Sequence, residues 1–272
     1  MRGEFVEVGG ARLYYYAAGT RGGGEPVVLL HGFPTSSHLW SHVVPLVPPG
    51  HRIVVADLLG FGRSDLPEGR DLSVRGHAQR TVGLLDALGI TRAVLVGHDM
   101  GGGISLDVAL QAPARVSRLC LVNPTAVDAH PDAVPQLGRS LASVLRYMPS
   151  FVATSTLRSR QRRGYVSTTR GSHSIDQYLR PFTSGSGQHA LRSHLGARRH
   201  TGHGEHATAA QVTIPTAVVW GAEDPFLRPA VGERLRKSIP GATMEVIPGA
   251  RHFLPEEDPQ VVARVIADLL GR

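Results

Sequence analysis

The chain has 272 residues, of which 42% are hydrophobic and 19% are charged. This composition is typical of a folded globular protein and excludes a largely disordered one. No apolar run approaches the roughly 20 residues that a membrane helix needs, and the first residues show no secretory signal. Cys120 is the only cysteine, so neither an internal disulfide nor a cysteine zinc site is expected. We therefore expect a cytoplasmic protein with no membrane partner.

The net charge of +7 comes from one internal segment. Residues 123–213 contain 11 Arg against 4 Asp and Glu, whereas the rest of the chain has 18 basic and 18 acidic residues. This segment has few aromatic residues and no RNA-binding signature, so we expect no nucleic-acid partner. A solvated arginine-rich surface explains the excess charge. A basic pocket mouth for an anionic small-molecule substrate is the alternative.

Strand-like and helix-like stretches alternate along the first half of the chain. Short apolar runs bounded by turns are typical of buried parallel strands. The predicted elements are strands at Phe5–Val8, Leu13–Tyr16, Val27–Leu30, Ile53–Ala56, Ala93–Val96 and Val116–Val122, with helices at Val74–Leu88 and from Met100 to before Pro113. This alternation predicts an α/β fold with a mainly parallel sheet flanked by helices.

The pattern changes after Val122, where arginine, histidine, serine and glycine accumulate. The elements predicted there are helices at Leu137–Tyr147 and Ile175–Leu179, loops at Ser184–Gly187 and Thr201–Gly204, strands at Thr216–Trp220 and Met244–Ile247, and a last helix at Pro259–Leu270. The sequence therefore predicts an α/β core domain, residues 1–123 and 213–272. A helical cap domain, residues 124–212, interrupts it.

The segment Gly97–Gly101 joins a predicted strand to a predicted helix and reads Gly-His-Asp-Met-Gly. This pattern has the shape of a nucleophile elbow, a sharp turn that needs small residues two positions before and after the reactive side chain. Asp99 stands where that side chain is usually a serine. The N-terminus of the following helix favours negative charge and offers free N–H groups. An ordinary glycine turn, with Asp99 as helix N-cap, is the alternative interpretation.

Three further segments follow predicted strands. His31–Pro34 comes directly after a buried strand, where a loop can supply a backbone N–H to an oxyanion. Asp224 and His252 each come shortly after a late strand. Nucleophile, acid and histidine thus occur in the order Asp99, Asp224, His252, as they do in α/β-hydrolases.

Over essentially its whole length the sequence resembles the α/β-hydrolase fold family. Asp57–Ser64 is similar to the family's loop after the fourth strand, and the predicted cap is similar to the segment that roofs the family's pocket. An aspartate at the nucleophile position resembles the branch of epoxide hydrolases and dehalogenases. The resemblance implies an α/β-hydrolase fold with an inserted helical cap. His31 and His98 flank the site and are expected to be structural or to line the pocket.

A carboxylate nucleophile suits displacement at a saturated carbon, because attack on an ester would give only an anhydride. The first product is then an alkyl-enzyme ester on Asp99, which water must hydrolyse. We expect His252 to act as general base on that water, oriented by Asp224. The backbone N–H groups of Phe33 and Met100 are expected to form the oxyanion hole.

Two positions bear on the leaving group. Haloalkane dehalogenases hold the halide with an Asn after the His-Gly pair and a Trp after the nucleophile, where this chain has Phe33 and Met100. Haloacetate dehalogenases place an Arg after the nucleophile, which this chain lacks. By contrast, His31–Pro34 fits the H-G-x-P pattern of epoxide hydrolases.

Epoxide hydrolases also use cap tyrosines as acids for the opening oxygen. The resemblance indicates Tyr147 as the first of these tyrosines. The second normally lies later in the cap, where this chain has His189 and His194 but no tyrosine, so Tyr178 would have to serve. A buried tyrosine whose hydroxyl is satisfied by the protein is the structural alternative.

The sequence therefore predicts an epoxide hydrolase with Asp99, Asp224 and His252 as catalytic residues. A dehalogenase, or a biosynthetic enzyme that uses the same site for non-hydrolytic chemistry, is the alternative. A ligand-binding receptor on the same fold is not favoured, because binding alone does not require all three residues. We expect a small-molecule substrate, no metal or organic cofactor, and a monomer or homodimer.

Overall fold

The computed structural model describes residues 3–20, 23–66, 69–125, 144, 147–197 and 209–271. These residues contain one eight-stranded sheet in the order β1-β2-β4-β3-β5-β6-β7-β8. Its strands are β1 Glu4–Val8, β2 Ala11–Gly19, β3 Val27–Leu30, β4 Arg52–Ala56, β5 Ala93–His98, β6 Val116–Val122, β7 Thr216–Gly221 and β8 Thr243–Ile247. β2 runs antiparallel to β1 and β4, and every other pairing is parallel.

The central strands are buried on both faces of the sheet. All residues of β3 and β5 are buried, although successive side chains point to opposite faces. Layers of helix must therefore cover both faces, which explains why these strands are continuous apolar runs rather than alternating ones. The continuous apolar runs of the sequence thus correspond to the parallel strands at the centre of the sheet.

The helices of the described ranges are α1 Val74–Ala87, α2 Met100–Gln111, α3 Ser150–Arg162, α4 Thr168–Leu179, α5 Gly185–Ala197, α6 Pro229–Ser238, α7 Leu254–Glu257 and α8 Pro259–Leu270. α2 packs on β5, β6 and α1, while α8 packs on β6 and β7. Helices α3 to α5 lie between β6 and β7 in the chain, and α3 packs against α4. In the described parts of the chain no helix is both long and apolar enough to cross a membrane.

The α/β-hydrolase fold predicted from the sequence is confirmed, and the predicted strands agree with the structure to within a few residues at each end. The loop predicted at Ser184–Gly187 is wrong, because α5 begins at Gly185 and the Ser184 hydroxyl accepts a hydrogen bond from the Gly187 N–H in its first turn. Most of the predicted helix Leu137–Tyr147 and all of Thr201–Gly204 lie outside the described residues. The division into core and cap domains stays a prediction.

Parallel strands bring their carboxyl ends to one edge of the sheet. β3, β5, β6 and β7 are consecutive neighbours, so the residues that follow them meet at this edge. The chain places His31, Asp99, Asn123 and Asp224 just beyond these four strands. The fold therefore collects polar side chains from four distant parts of the sequence in one place.

Candidate active site

The turn between β5 and α2 holds Asp99 in an unusual backbone conformation, with φ 50° and ψ −119°. A Cβ on Gly97 would collide with the backbone of Gly101, and one on Gly101 would collide with the carbonyl oxygen of Leu30. Both glycines are therefore required by close backbone approach. The Asp99 side chain is 5% exposed and makes no capping bond to the described residues of α2. Asp99 therefore stands at the N-cap position of α2 but does not cap the helix with its side chain, so the interpretation as an ordinary N-cap is wrong.

The Asp99 carboxylate is instead held by the loop after β3. The Phe33 N–H donates to Asp99 Oδ2 over 2.9 Å. A Cβ on Gly32 would collide with the same carboxylate, so the glycine lets the loop approach it. Met100 is buried as the first residue of α2, where the N–H groups of a helix have no partner within the helix. Of the two expected oxyanion-hole residues, Phe33 thus contacts the Asp99 carboxylate directly, and Met100 is the next residue in the chain after Asp99.

His31 fixes the shape of this loop. The Leu58 N–H donates to His31 Nε2 over 2.9 Å, so Nε2 is unprotonated and Nδ1 carries the proton. Nδ1 then donates to the Gly32 carbonyl over 2.8 Å. Complete burial lowers the pKa of His31, which keeps the ring neutral and this hydrogen-bond pattern intact. The expected structural role of His31 agrees with these contacts.

Asp224 and His252 form a direct pair. His252 Nδ1 donates to Asp224 Oδ2 over 2.7 Å, which leaves Nε2 as the basic nitrogen of the neutral ring. The backbone N–H groups of Phe226 and Leu227 donate to Asp224 Oδ1. Burial by itself raises the pKa of Asp224, but the His252 ring and these hydrogen bonds outweigh it and hold the pKa below its usual value. Asp224 is thus kept ionised and can orient an imidazolium.

His98 connects the nucleophile turn to the histidine loop. It directly precedes Asp99, and its Nε2 donates to the His252 carbonyl over 2.9 Å. The two imidazole rings lie 4.7 Å apart between centroids. Burial lowers the pKa of His98 to about 3, so the ring stays neutral. This contact holds the His252 loop against the end of β5.

Asn123 is a site residue that the sequence interpretation missed. It follows β6 directly, has φ 41°, and its side-chain Nδ2 donates to Asp224 Oδ2 over 2.6 Å. The available signal was a polar residue immediately after a strand of buried apolar residues. That signal marks the edge of the sheet but not the partner of the side chain.

The two tyrosines expected as acids lie in different surroundings. The Tyr147 side chain is 75% exposed. Tyr178 is buried in α4, and its hydroxyl donates to Glu256 Oε1. Tyr165 donates to the same oxygen over 2.8 Å, and Ser174 donates to Glu256 Oε2. The structure thus places Tyr178 in a hydrogen-bonded cluster around a buried glutamate.

This cluster adjoins the histidine loop. The N–H groups of His252 and Phe253 both approach the Gly164 carbonyl, at 3.1 and 3.4 Å. The Tyr165 ring stacks on Phe253 with centroids 4.1 Å apart. The segment before α4 therefore packs directly against the loop that carries His252. Among the residues that the structure describes, no three His, Cys, Asp or Glu side chains are grouped to hold a metal ion.

Comparison with known proteins assigns this chain to a family. The sequence model for the α/β-hydrolase fold matches residues 25–259. This chain belongs to the α/β-hydrolase fold family. Epoxide hydrolase 3 of Xenopus tropicalis is 28% identical, over 96% of this chain and 75% of the relative. Haloalkane dehalogenase 2 of Mycobacterium bovis is also 28% identical, over 96% and 92%.

Solved structures agree with this assignment. A hydrolase from Pseudomonas aeruginosa is 26% identical and superposes with a TM-score of 0.81, covering 99% of this chain and 98% of that protein. An enol-lactonase from Burkholderia xenovorans superposes with a TM-score of 0.85 over 99% and 100%, but at 22% identity it shows the fold alone. The chain is thus a hydrolase of the α/β fold, and its relatives cover more than one reaction.

Proposed function

We propose that this chain opens an epoxide to a diol through an alkyl-enzyme ester on Asp99. The observation that carries the proposal is the position of Asp99. An aspartate occupies the tip of the nucleophile turn, and the Phe33 N–H is bonded to one of its oxygens. A serine hydrolase needs a hydroxyl at this point, whereas a carboxylate suits displacement at a saturated carbon.

The hydrogen bond to Phe33 assigns separate roles to the two oxygens of Asp99. Oδ2 is held by the Phe33 N–H, so Oδ1 is the oxygen that attacks the epoxide carbon. A carbon–oxygen bond to Asp99 forms while the ring carbon–oxygen bond breaks, and the departing oxygen takes a proton. Oδ2 becomes the carbonyl oxygen of the ester and already lies in the oxyanion hole for the second step.

The second step uses the histidine pair. His252 Nε2 takes a proton from water, and the resulting hydroxide attacks the Asp99 carbonyl carbon. The negative charge collects on Oδ2 beside the N–H groups of Phe33 and Met100. Collapse expels the product alkoxide, which takes the proton back from His252. The proton left on the Asp99 carboxyl group returns to the acid that protonated the opening epoxide. The sum is one epoxide and one water converted to one diol, with Asp99 regenerated.

The proton for the opening epoxide is assigned to a cap tyrosine. The Tyr178 hydroxyl donates its hydrogen bond to Glu256, so this hydroxyl must turn away from Glu256 to serve as the acid. Tyr147 is the other candidate, and its side chain is largely exposed in this structure. Replacing both by Phe should lower ring opening by about 10²–10⁴-fold if either tyrosine is the acid. Unchanged ring opening in the double variant would exclude both and favour a halide leaving group.

Trapping the ester tests the proposal. We expect His252→Gln to accept substrate but release product very slowly, because nothing activates the water. Intact-protein mass spectrometry of this variant, after incubation with a panel of epoxides and haloalkanes, should show an added mass equal to a whole epoxide. An added mass equal to the substrate less its halide would indicate a dehalogenase. Asp99→Ala is the matched control and should give neither adduct nor turnover. Turnover by Asp99→Ala at the wild-type rate would overturn the assignment of the nucleophile.

A further inference from the structure

Asn123 shares an acceptor with the catalytic histidine. Asp224 Oδ2 accepts from Asn123 Nδ2 at 2.6 Å and from His252 Nδ1 at 2.7 Å. Asn123 is completely buried, and its backbone N–H donates to the Val219 carbonyl of the neighbouring strand. The amide therefore approaches the catalytic pair from β6, a strand that carries neither member of it.

The orientation of this amide is fixed by chemistry. An ionised carboxylate can only accept hydrogen bonds, so the amide must turn its NH₂ group toward Asp224. The Asp224 carboxylate then has two donors on each oxygen, since Phe226 and Leu227 donate to Oδ1. With all four positions used, the carboxylate has no rotational freedom. The direction in which it holds His252 is thereby fixed.

The backbone at Asn123 explains which residues can occupy the position. Asn123 and Asp99 are the non-glycine residues with positive φ in the described ranges. Asn, Asp and Gly tolerate this conformation, whereas other residues are strained in it. Of the three, only Asn offers an N–H donor. Asp would place a second carboxylate against Asp224, and Gly would leave Oδ2 with His252 alone.

We propose that Asn123 is a positioning residue for the ester-hydrolysis step, acting through Asp224 to hold His252 in line with the water that it activates. This inference rests on the proposed function, because it requires Asp224 and His252 to serve the second half-reaction. Alkylation of Asp99 does not use the pair. Asn123 should therefore matter for release of product and not for formation of the ester.

Single-turnover kinetics on Asn123→Gly and Asn123→Asp test this role, since both variants keep the backbone conformation. The substrate is an epoxide that the wild-type enzyme turns over, and quenched samples are read by intact-protein mass. We expect ester formation within about threefold of wild type and ester hydrolysis slower by about 10- to 100-fold, the scale of a small misplacement. In Asn123→Asp the added negative charge should stabilise protonated His252. The acidic limb of the hydrolysis rate should then move to higher pH.

Two results would overturn the inference. One is ester hydrolysis by Asn123→Gly at the wild-type rate with an unchanged pH profile. The other is an equal fall in both half-reactions together with a lowered melting temperature, which would indicate a structural role only. Asn123→Ala is the strain control, and we expect it to match Asn123→Gly in kinetics but to melt lower. A His252→Gln variant that traps no ester would instead overturn the proposed function, so the two failures can be told apart.

Discussion

Two buried carboxyl groups, Asp224 and Glu256, precede and follow the loop that carries His252 in the chain and differ in ionisation. Asp224 is 8% exposed and accepts four hydrogen bonds, all from N–H groups. Glu256 is 1% exposed and accepts three, all from hydroxyl groups. Burial raises the pKa of both. Asp224 nevertheless titrates below its usual range, while the pKa of Glu256 stays raised.

The difference lies in the partners. His252 can carry a positive charge, and the backbone N–H groups of Phe226 and Leu227, which hold the other oxygen of Asp224, can only donate. The hydroxyls around Glu256 are neutral and can rotate, so they solvate a carboxyl group in either protonation state. Burial alone therefore does not determine the ionisation of a carboxyl group. The surroundings of Asp224 suit an acid that orients a base. The surroundings of Glu256 suit a structural contact, or joint, between α4 and the residues that follow the histidine loop.

The largest expected effect follows from replacing the Asp224 carboxylate by an amide. The same replacement at Glu256 is the comparison. In Asp224→Asn the backbone N–H groups of Phe226 and Leu227 retain the carbonyl oxygen, so the new NH₂ group faces His252 Nδ1 and favours the wrong tautomer of the ring. We expect turnover to fall by about 10³–10⁴-fold, with the fold retained. Glu256→Gln is the matched variant, because the Ser174 hydroxyl can rotate to accept from the new amide. Its turnover should stay near that of wild type, and an equally large fall would contradict the comparison.

A smaller effect, on stability, is expected when the Glu256 side chain is removed from the hydroxyl groups around it. Glu256→Ala leaves the hydroxyls of Tyr165, Ser174 and Tyr178 without their acceptor in the protein interior. At about 1–3 kcal/mol for each unpaired buried group, we expect the free energy of unfolding to fall by about 3 kcal/mol. Urea denaturation measures this change. Glu257→Gln, at the neighbouring and less buried position, is the control and should cost less than about 1 kcal/mol. Equal losses in the two variants would argue against the cluster as a stabilising joint.

The smallest effect, for one side chain and one unit of pH, is a pH dependence of stability from buried histidines. Burial lowers the pKa of His77 and of His98 to about 3, against 6.5 for a solvated ring. The unfolded chain therefore binds more protons below pH 6.5. Stability from these rings is complete above pH 6.5 and is lost as pH falls toward 3. Each ring should contribute about 1.4 kcal/mol per pH unit within that window.

Glu256 acts in the opposite direction, because its raised pKa gives a contribution that is present below pH 4.5 and lost as pH rises above it. Urea denaturation between pH 7 and pH 5 should still show net loss of stability on acidification. His77 Nε2 has no hydrogen-bond partner among the described residues, so His77→Leu removes one titrating ring without breaking a bond at that atom. We expect this variant to flatten the slope by about 1.4 kcal/mol per pH unit. An unchanged slope would show that His77 titrates alike in both states.

The sequence predicted the sheet and the principal site because both depend on local signals. Buried apolar runs mark β3, β5 and β6, and the glycines around Asp99 mark a turn that larger residues cannot make. The rule that parallel strands end at one edge then predicts that distant loops meet. Helix α5 was missed because the glycine and serine residues at its start are typical of loops, while in the structure the Ser184 side chain accepts from the first turn.

Side-chain partners were decided by the tertiary structure alone. Asn123 lies 101 residues from Asp224, and Tyr178 lies 78 residues from Glu256. Nothing in the periodicity of either segment specifies these pairs, because periodicity records which face of an element is apolar and not what lies opposite it. A hydrogen bond depends on distances of a few tenths of an ångström and on the direction of the donor. The sequence by itself thus determined the fold and placed an aspartate in the turn after β5, whereas packing decided which buried carboxyl group is held as an anion.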